Sequence, residues 1–255
     1  MDSMIELVGV CKRLGRKQVF DGLNLEVRRG ETMVIIGRSG TGKSVMLKHI
    51  VGLVRPDRGK VIVDGVDVAA ADHKTLLRLR SKMGMLFQSG ALIHWMNVYD
   101  NVALPLRELS DYDEARIRAI VKEKLDLVDL EGADDLTPDQ ISGGMQKRAA
   151  LARAIVRDPE IILYDEPTAG LDPVIANTIN ELIASVQRKL GVTSVAVTHD
   201  MTSAYAVADR IAMLHQGRII QVGTPREIQN TTDPAVRQLI TGGPLGPLTE
   251  EMHSR

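Results

Sequence analysis

Several short stretches of this 255-residue chain have residue types and spacings suited to phosphate chemistry. Gly37-Arg38-Ser39-Gly40-Thr41-Gly42-Lys43-Ser44 fits the pattern G-x-x-x-x-G-K-[ST]. Gly40 and Gly42 permit backbone conformations and close approaches that a side chain would forbid. Successive N–H groups can then turn inward and cradle a polyphosphate. Lys43 can reach the terminal phosphates, and the Ser44 hydroxyl can ligate Mg²⁺. An accidental glycine-rich turn would fit the eight residues alone. The apolar run Thr32–Ile36 before them and the helical run from Val45 to Ile50 after them argue against it, because they place the loop at a helix N-terminus.

Asp165-Glu166 ends the apolar run Ile161–Tyr164. Ligands of open α/β sheets bind at the carboxyl ends of strands. There Asp165 suits a Mg²⁺ site, and Glu166 could polarise an attacking water. A capping pair before the next helix is the plainer alternative. His199 follows the run Ser194–Val197 and is the one histidine placed directly after a core strand. The other five, His49, His73, His94, His215 and His253, form no ligand-spaced cluster, so a zinc site is rejected and surface or packing roles are expected for them. Ser142-Gly143-Gly144 opens a helix running to about Val156. That start could hold a second anion; taken alone, it reads as an ordinary serine N-cap.

The elements that must position these groups are legible in outline. Ile5–Val10 and Leu23–Val27 read as strands, the first with poor alternation. Asp64-Gly65 signals a hairpin between Lys60–Val63 and Val66–Val68. Met83–Phe87 is a short strand ending at Gln88. Apolar residues from Ile117 to Val128, at three- and four-residue spacings, extend a helical pattern over Asn97 to about Leu130, and its charged residues are read as a solvated face. Val174–Leu190 is helical. Arg210–His215 and Arg218–Val222 pair through Gln216-Gly217, and Thr224-Pro225-Arg226-Glu227 has a capping-box pattern. A last helix starts at Asp233-Pro234. Gly242-Gly243-Pro244 breaks it, leaving a loose tail or a docking strap.

Composition sets bounds. With 44% hydrophobic and 25% charged residues the chain is an ordinary globular mixture. Its net charge of -1 supplies no general basic field for nucleic acid or anionic lipid. Cys11 is the only cysteine, which excludes an internal disulfide. No apolar run approaches the ~20 residues of a membrane span, and the N-terminal residues do not resemble a secretory signal. A role at a membrane is therefore expected to come through a partner.

Taken together, the phosphate loop, Gln88, Ser142-Gly143-Gly144, Asp165-Glu166 and His199 stand in an order that resembles the nucleotide-binding subunit of ABC transporters. The resemblance runs from about Ile5 to Gly242. Lys147-Arg148-Ala149, Ala152-Arg153-Ala154 and Gly170-Leu171-Asp172-Pro173 belong to it as well. Met85–Leu92, Asn97–Glu108, Met145 and Asp233–Gln238 are similar to the Mla-type ATPases. Those ATPases serve transporters with MCE-domain subunits that move phospholipid between the membranes of Gram-negative envelopes. The resemblance implies an α/β ABC ATPase nucleotide-binding domain over 1–242. This would have a P-loop, RecA-like core, an N-terminal antiparallel β subdomain, an inserted α-helical subdomain at about 91–158, and a tail at 243–255.

The same resemblance implies ATP and Mg²⁺ as cofactors, and ATP sandwiched between two head-to-tail copies. The loop residues Gly37 to Ser44 would hold phosphates. Ser44, Gln88 and Asp165 would serve Mg²⁺, Glu166 the water, and His199 the γ-phosphate. Ser142, Gly143, Gly144 and Asp172 would act from across the dimer seam. Further implied partners are integral-membrane permease subunits, an MCE-domain subunit and small accessory subunits, with no nucleic acid. The implied location is the cytoplasmic face of the inner membrane. The segment after Gln88 would receive the permease's coupling helices. It contains Ile93-His94-Trp95-Met96, where Trp95 fits either a partner groove or the interior. One departure concerns the base: Leu14 stands where many ABC ATPases stack an aromatic ring on adenine, which leaves base selectivity open. The shared motifs also suit an importer of small solutes, distinguishable by its co-purifying subunits. A soluble repair ATPase would usually carry a long coiled-coil insertion, which this chain lacks.

Overall fold

A computed structural model describes residues 2–244 and 246–249. The chain forms two compact units. One comprises the residues up to Ala70 together with those from Val197 onward; the other is Ala71–Ala196.

The first unit begins with β1 (Ser3–Leu14) and β2 (Lys17–Arg28), followed by β3 (Thr32–Ile36), α1 (Lys43–Ile50), β4 (Arg58–Val63) and β5 (Val66–Asp67). β2, β1, β4 and β5 make a four-stranded antiparallel sheet in that order. Both leading strands are longer than their alternation predicts. The poor alternation of β1 has a local cause: its register with β2 shifts between Leu7 and Val10, around Gly9 at φ 58°. The expected hairpin closes through Asp64 and Gly65, both at positive φ, as a two-residue turn matched to strand twist requires.

The second unit contains α2 (His73–Ser81), β6 (Met83–Leu86), α3 (Val98–Leu109), α4 (Glu114–Leu127), α5 (Gly143–Ile155), β7 (Ile161–Asp165), α6 (Pro173–Leu190) and β8 (Thr193–Thr198), whose last two residues pass into the first unit. β8, β7 and β6 are neighbours in that order, with β6 and β7 parallel. The single helical stretch read over Asn97–Leu130 is two helices. Asn97 caps α3, the chain is extended at Ser110, and Asp113 starts α4 by accepting from the Arg116 amide. Helix α2 has no counterpart in the sequence reading, because only Leu76 and Leu79 of it are buried between charged residues.

The first unit is completed by α7 (Met201–Val207), β9 (Arg210–His215), β10 (Arg218–Gly223), α8 (Pro225–Gln229) and α9 (Pro234–Thr241). β3, entirely buried, runs parallel to β9, and β9 pairs with β10 through the expected turn. The tail is a strap over the residues described. Leu248 is buried, its amide donates to Gln238 Oε1 at 2.7 Å, and its carbonyl accepts from the Arg38 guanidinium. His253 and the rest of the tail lie outside the described residues. His49 is a packing histidine, buried edge-on against Phe20.

Candidate active site

In the first unit the buried strand β3 delivers the glycine loop to α1. Two of its glycines are required by tertiary neighbours. A Cβ on Gly37 would lie 2.5 Å from the Leu214 carbonyl oxygen, and one on Gly42 would lie 2.6 Å from Val19 Cγ1. Gly42, at φ 108°, is the N-cap of α1 and provides no side-chain cap. The first turn of α1 holds no acidic residue. That is the environment an anion needs. Lys43 is buried, and its ammonium donates to the carbonyls of Gly37 at 2.9 Å and Arg38 at 3.2 Å. Thr41 Oγ1 also donates to the Arg38 carbonyl, and Lys17 Nζ donates to that of Gly40 at 2.7 Å. A cleft of about 590 Å³ lies beside the loop, lined by Arg16, Lys17, Arg38, Ser39, Gly40 and His215 among others. Leu14 is 44% exposed at the end of β1. His199 follows β8 on the surface of this unit. The turn that carries it is fixed by Asp200, which accepts from the Thr202 and Ser203 amides and so caps α7.

The second unit carries the other residues. β7 is buried up to Tyr164 and brings Asp165 to its carboxyl end. Glu166 follows at φ 48°, in the left-handed region. For a non-glycine residue this costs about 1–2 kcal/mol. Such backbone occurs at functional positions and also in ordinary turns, as at Asp64. β6 runs in register with β7, pairing Leu86 with Tyr164, and so places Gln88 just beyond the same edge. Ser142 does cap α5, accepting from the Met145 amide at 3.3 Å. Gly144 is needed for packing, since a Cβ there would meet Ile175 Cγ2 at 2.7 Å. Asp172 caps α6 through the Val174 and Ile175 amides, and Val174 beside it is 74% exposed.

Lys147 of α5 was quoted in sequence as part of a signature but given no role. It is buried, and its Nζ donates to the main-chain carbonyl of Gln88. Burial lowers its pKa, while the charges of Asp165 and Glu166 pull the other way. Asn101 was likewise not singled out. Fully buried, it accepts from the Ile93 amide at 2.7 Å and donates to the carbonyls of Ile93 and Met96, pinning the turn that displays Trp95. Trp95 itself is 83% exposed, so it is not an interior side chain of this subunit.

The candidate residues therefore fall into two sets. Lys43, Ser44 and His199 belong to the first unit; Gln88, Ser142, Asp165, Glu166 and Asp172 belong to the second. The glycine cradle, the buried lysine and the helix start at Gly42 fit a polyphosphate. Ser44 in the first unit, and Gln88 and Asp165 in the second, each carry a hard oxygen donor of the kind Mg²⁺ takes. Among the described residues no group of three or more His, Cys, Asp or Glu could hold a metal. A glycine loop of this pattern between a buried strand and a helix defines a P-loop nucleotide-binding protein.

Comparisons with known proteins give its family. A family model described as ABC transporter matches residues 20–169. The probable ribonucleotide transport ATP-binding protein mkl of Mycobacterium leprae is 45% identical, over 97% of this chain and 72% of its own. The intermembrane phospholipid transport system ATP-binding protein MlaF of Escherichia coli K12 is 40% identical, over 96% of this chain and 91% of its own. Two solved structures are similar. The dimeric cassette MJ0796 bound to ADP and Pi has a TM-score of 0.79 at 34% identity, over 88% of this chain and 99% of its own. The structure of cbiO1 from Clostridium perfringens has a TM-score of 0.84 at 27% identity, over 99% and 100%. The chain belongs to the ABC transporter family, as an ATP-binding ABC ATPase.

Proposed function

We propose that this chain powers a phospholipid transporter of the cell envelope, working with integral-membrane permease subunits, an MCE-domain subunit and small accessory subunits. The observation that carries this reading is the 40% identity that runs through 91% of MlaF, the ATP-binding protein of an intermembrane phospholipid transport system. Met145 after the glycine pair, together with the segments Met85–Leu92 and Asn97–Glu108, supports it from the sequence side. The exposed Trp95, held out by Asn101, supports a docking surface for the permease on the segment after Gln88. The subunit would sit at the cytoplasmic face of the inner membrane through that contact; no helix among the described residues is long and apolar enough to cross a membrane. The ABC ATPase domain would span 1–242 with 91–158 as its helical subdomain.

In this reading, the amides of Gly37 to Ser44 and the Lys43 ammonium bind the ATP phosphates. Ser44, Gln88 and Asp165 would hold Mg²⁺, which would offset the negative charge of the phosphates. Glu166 takes a proton from the attacking water, and His199 donates to the γ-phosphate. Ser142, Gly143, Gly144 and Asp172 act on the nucleotide of a second copy, so closing of the pair depends on ATP. Phosphoryl transfer needs mainly positioning and charge stabilisation, and these groups supply both.

A second reading, transport of ribonucleotides, is favoured by the name of the 45%-identical mkl. Mass spectrometry of the detergent-extracted complex separates the two. Phospholipid bound with permease and MCE-domain subunits is the expected result. A complex without lipid whose ATPase is stimulated by ribonucleotides would refute the phospholipid reading.

A further inference from the structure

α5 holds the segment after β6 by its main chain. Lys147 Nζ donates to the Gln88 carbonyl, and Arg153 donates to the carbonyls of Gly90 at 2.7 Å and Ala91 at 2.8 Å. Gly90 lies against α5 closely enough that a Cβ would touch Ala150 Cβ at 3.6 Å. Lys147 is only 6% exposed. A buried ammonium is costly unless compensated, and an uncharged side chain would pack there more cheaply. Its ammonium donates to the Gln88 carbonyl, and the charges of Asp165 and Glu166 favour its charged form. One cation thus stands among three elements: the helix that begins at Ser142, the loop that carries Gln88, and the carboxylate end of β7.

We propose that Lys147 is a positioning residue for hydrolysis, fixing the main chain of Gln88 from α5 so that the Gln88 side chain is held beside the carboxylates of β7. Because the contact is to backbone, it sets where the loop lies without consuming the Gln88 amide. Because Lys147 and Ser142 share a helix, displacement of α5 moves the Gln88 loop with it. The contact is to the Gln88 main chain and not to a group assigned to the ATP phosphates, so turnover rather than ATP affinity is what Lys147 governs. The inference rests on the reading of Gln88, Asp165 and Glu166 as parts of the hydrolytic site.

The test uses the full chain as Lys147→Met, which keeps the apolar stem and removes the charge, and as Lys147→Arg. Hydrogen exchange of the amides at 87–91 is measured without nucleotide, and ATP turnover with Mg-ATP. In Lys147→Met the exchange at 87–91 should quicken, kcat should fall about tenfold, and KM for ATP should stay within about twofold. Lys147→Arg should restore kcat to within about threefold of wild type. Wild-type kcat in Lys147→Met, equal losses in kcat and ATP affinity, unchanged exchange, or no rescue by arginine would each overturn the proposal. If Lys147→Met does not fold, Lys147→Gln is read by the same criteria; failure of both to fold makes Lys147 structural and overturns it too. Faster exchange at 87–91 with turnover unaltered would locate the failure in the hydrolytic-site reading and leave the contact itself established.

Discussion

Trp95→Ala separates the permease interface from the fold. Trp95 is 83% exposed, so less than a fifth of its surface is covered by its own subunit. A large aromatic side chain buries up to ~250 Å² when enclosed. The covered part here is ~40 Å², or ~1 kcal/mol at ~25 cal/mol per Å². In a chain of this length that lowers the melting midpoint by only ~2–4 °C. An interior tryptophan would instead cost ~3–5 kcal/mol. At a partner interface, a tryptophan enclosed on assembly costs ~2 kcal/mol or more when truncated, a loss of ~30-fold in affinity. The assay has three parts: thermal unfolding of the isolated subunit, its ATP affinity, and its recovery in the detergent-extracted complex. Near-normal melting and ATP binding are expected, with weakened assembly and a matching fall in lipid transport. A melting point lower by ~10 °C or more, without a specific assembly defect in the folded fraction, would refute the reasoning. Intact assembly would do the same.

Three further predictions concern the nucleotide. Lys43→Ala should abolish turnover and sharply weaken ATP binding, because it removes a buried ammonium set directly on the loop carbonyls; nucleotide titration and phosphate release on the folded variant check this. Glu166→Gln keeps the shape and removes the base, so ATP should bind and hold the pair closed without turnover. Size measurements with Mg-ATP should show a persistent dimer, and wild-type turnover would exclude Glu166 as the catalytic carboxylate. Adenine selectivity should be loose, since Leu14 is exposed and, among the described residues, no Phe, Tyr or Trp lines the cleft beside the loop. A preference for ATP over GTP hydrolysis above ~100-fold, or ~2.7 kcal/mol, would show that other groups read the base.

Several features of this chain were fixed locally and could be read from its residues. The strand–loop–helix order around Gly37–Ser44 is set by neighbouring residues, as are the Asp64-Gly65 turn and the Ser142 and Thr224 caps. In each, a side chain or a glycine decides the conformation of the two or three residues beside it. Asp165 and Glu166 were legible for the same reason, because a buried strand must end where its polar residues begin.

Tertiary structure decided the rest, because it sets which distant atoms meet. Gly37 is required by the Leu214 carbonyl and Gly42 by Val19, neither of which the loop pattern mentions. The break between α3 and α4 lies inside an unbroken helical period, and the caps Asn97 and Asp113 mark the two starts without fixing where the first helix stops. Tail residues act as a strap only because Gln238 receives the Leu248 amide and Leu248 meets Arg38 from the far end of the chain. Trp95 reads equally well as core or interface in a one-dimensional pattern; Asn101, by holding the turn at Ile93–Met96, turns it to solvent. Lys147 likewise looks like a surface lysine on a helix until folding buries it against the Gln88 carbonyl. Burial converts an ordinary cation into one that must be compensated, and only three-dimensional packing determines which charges are buried.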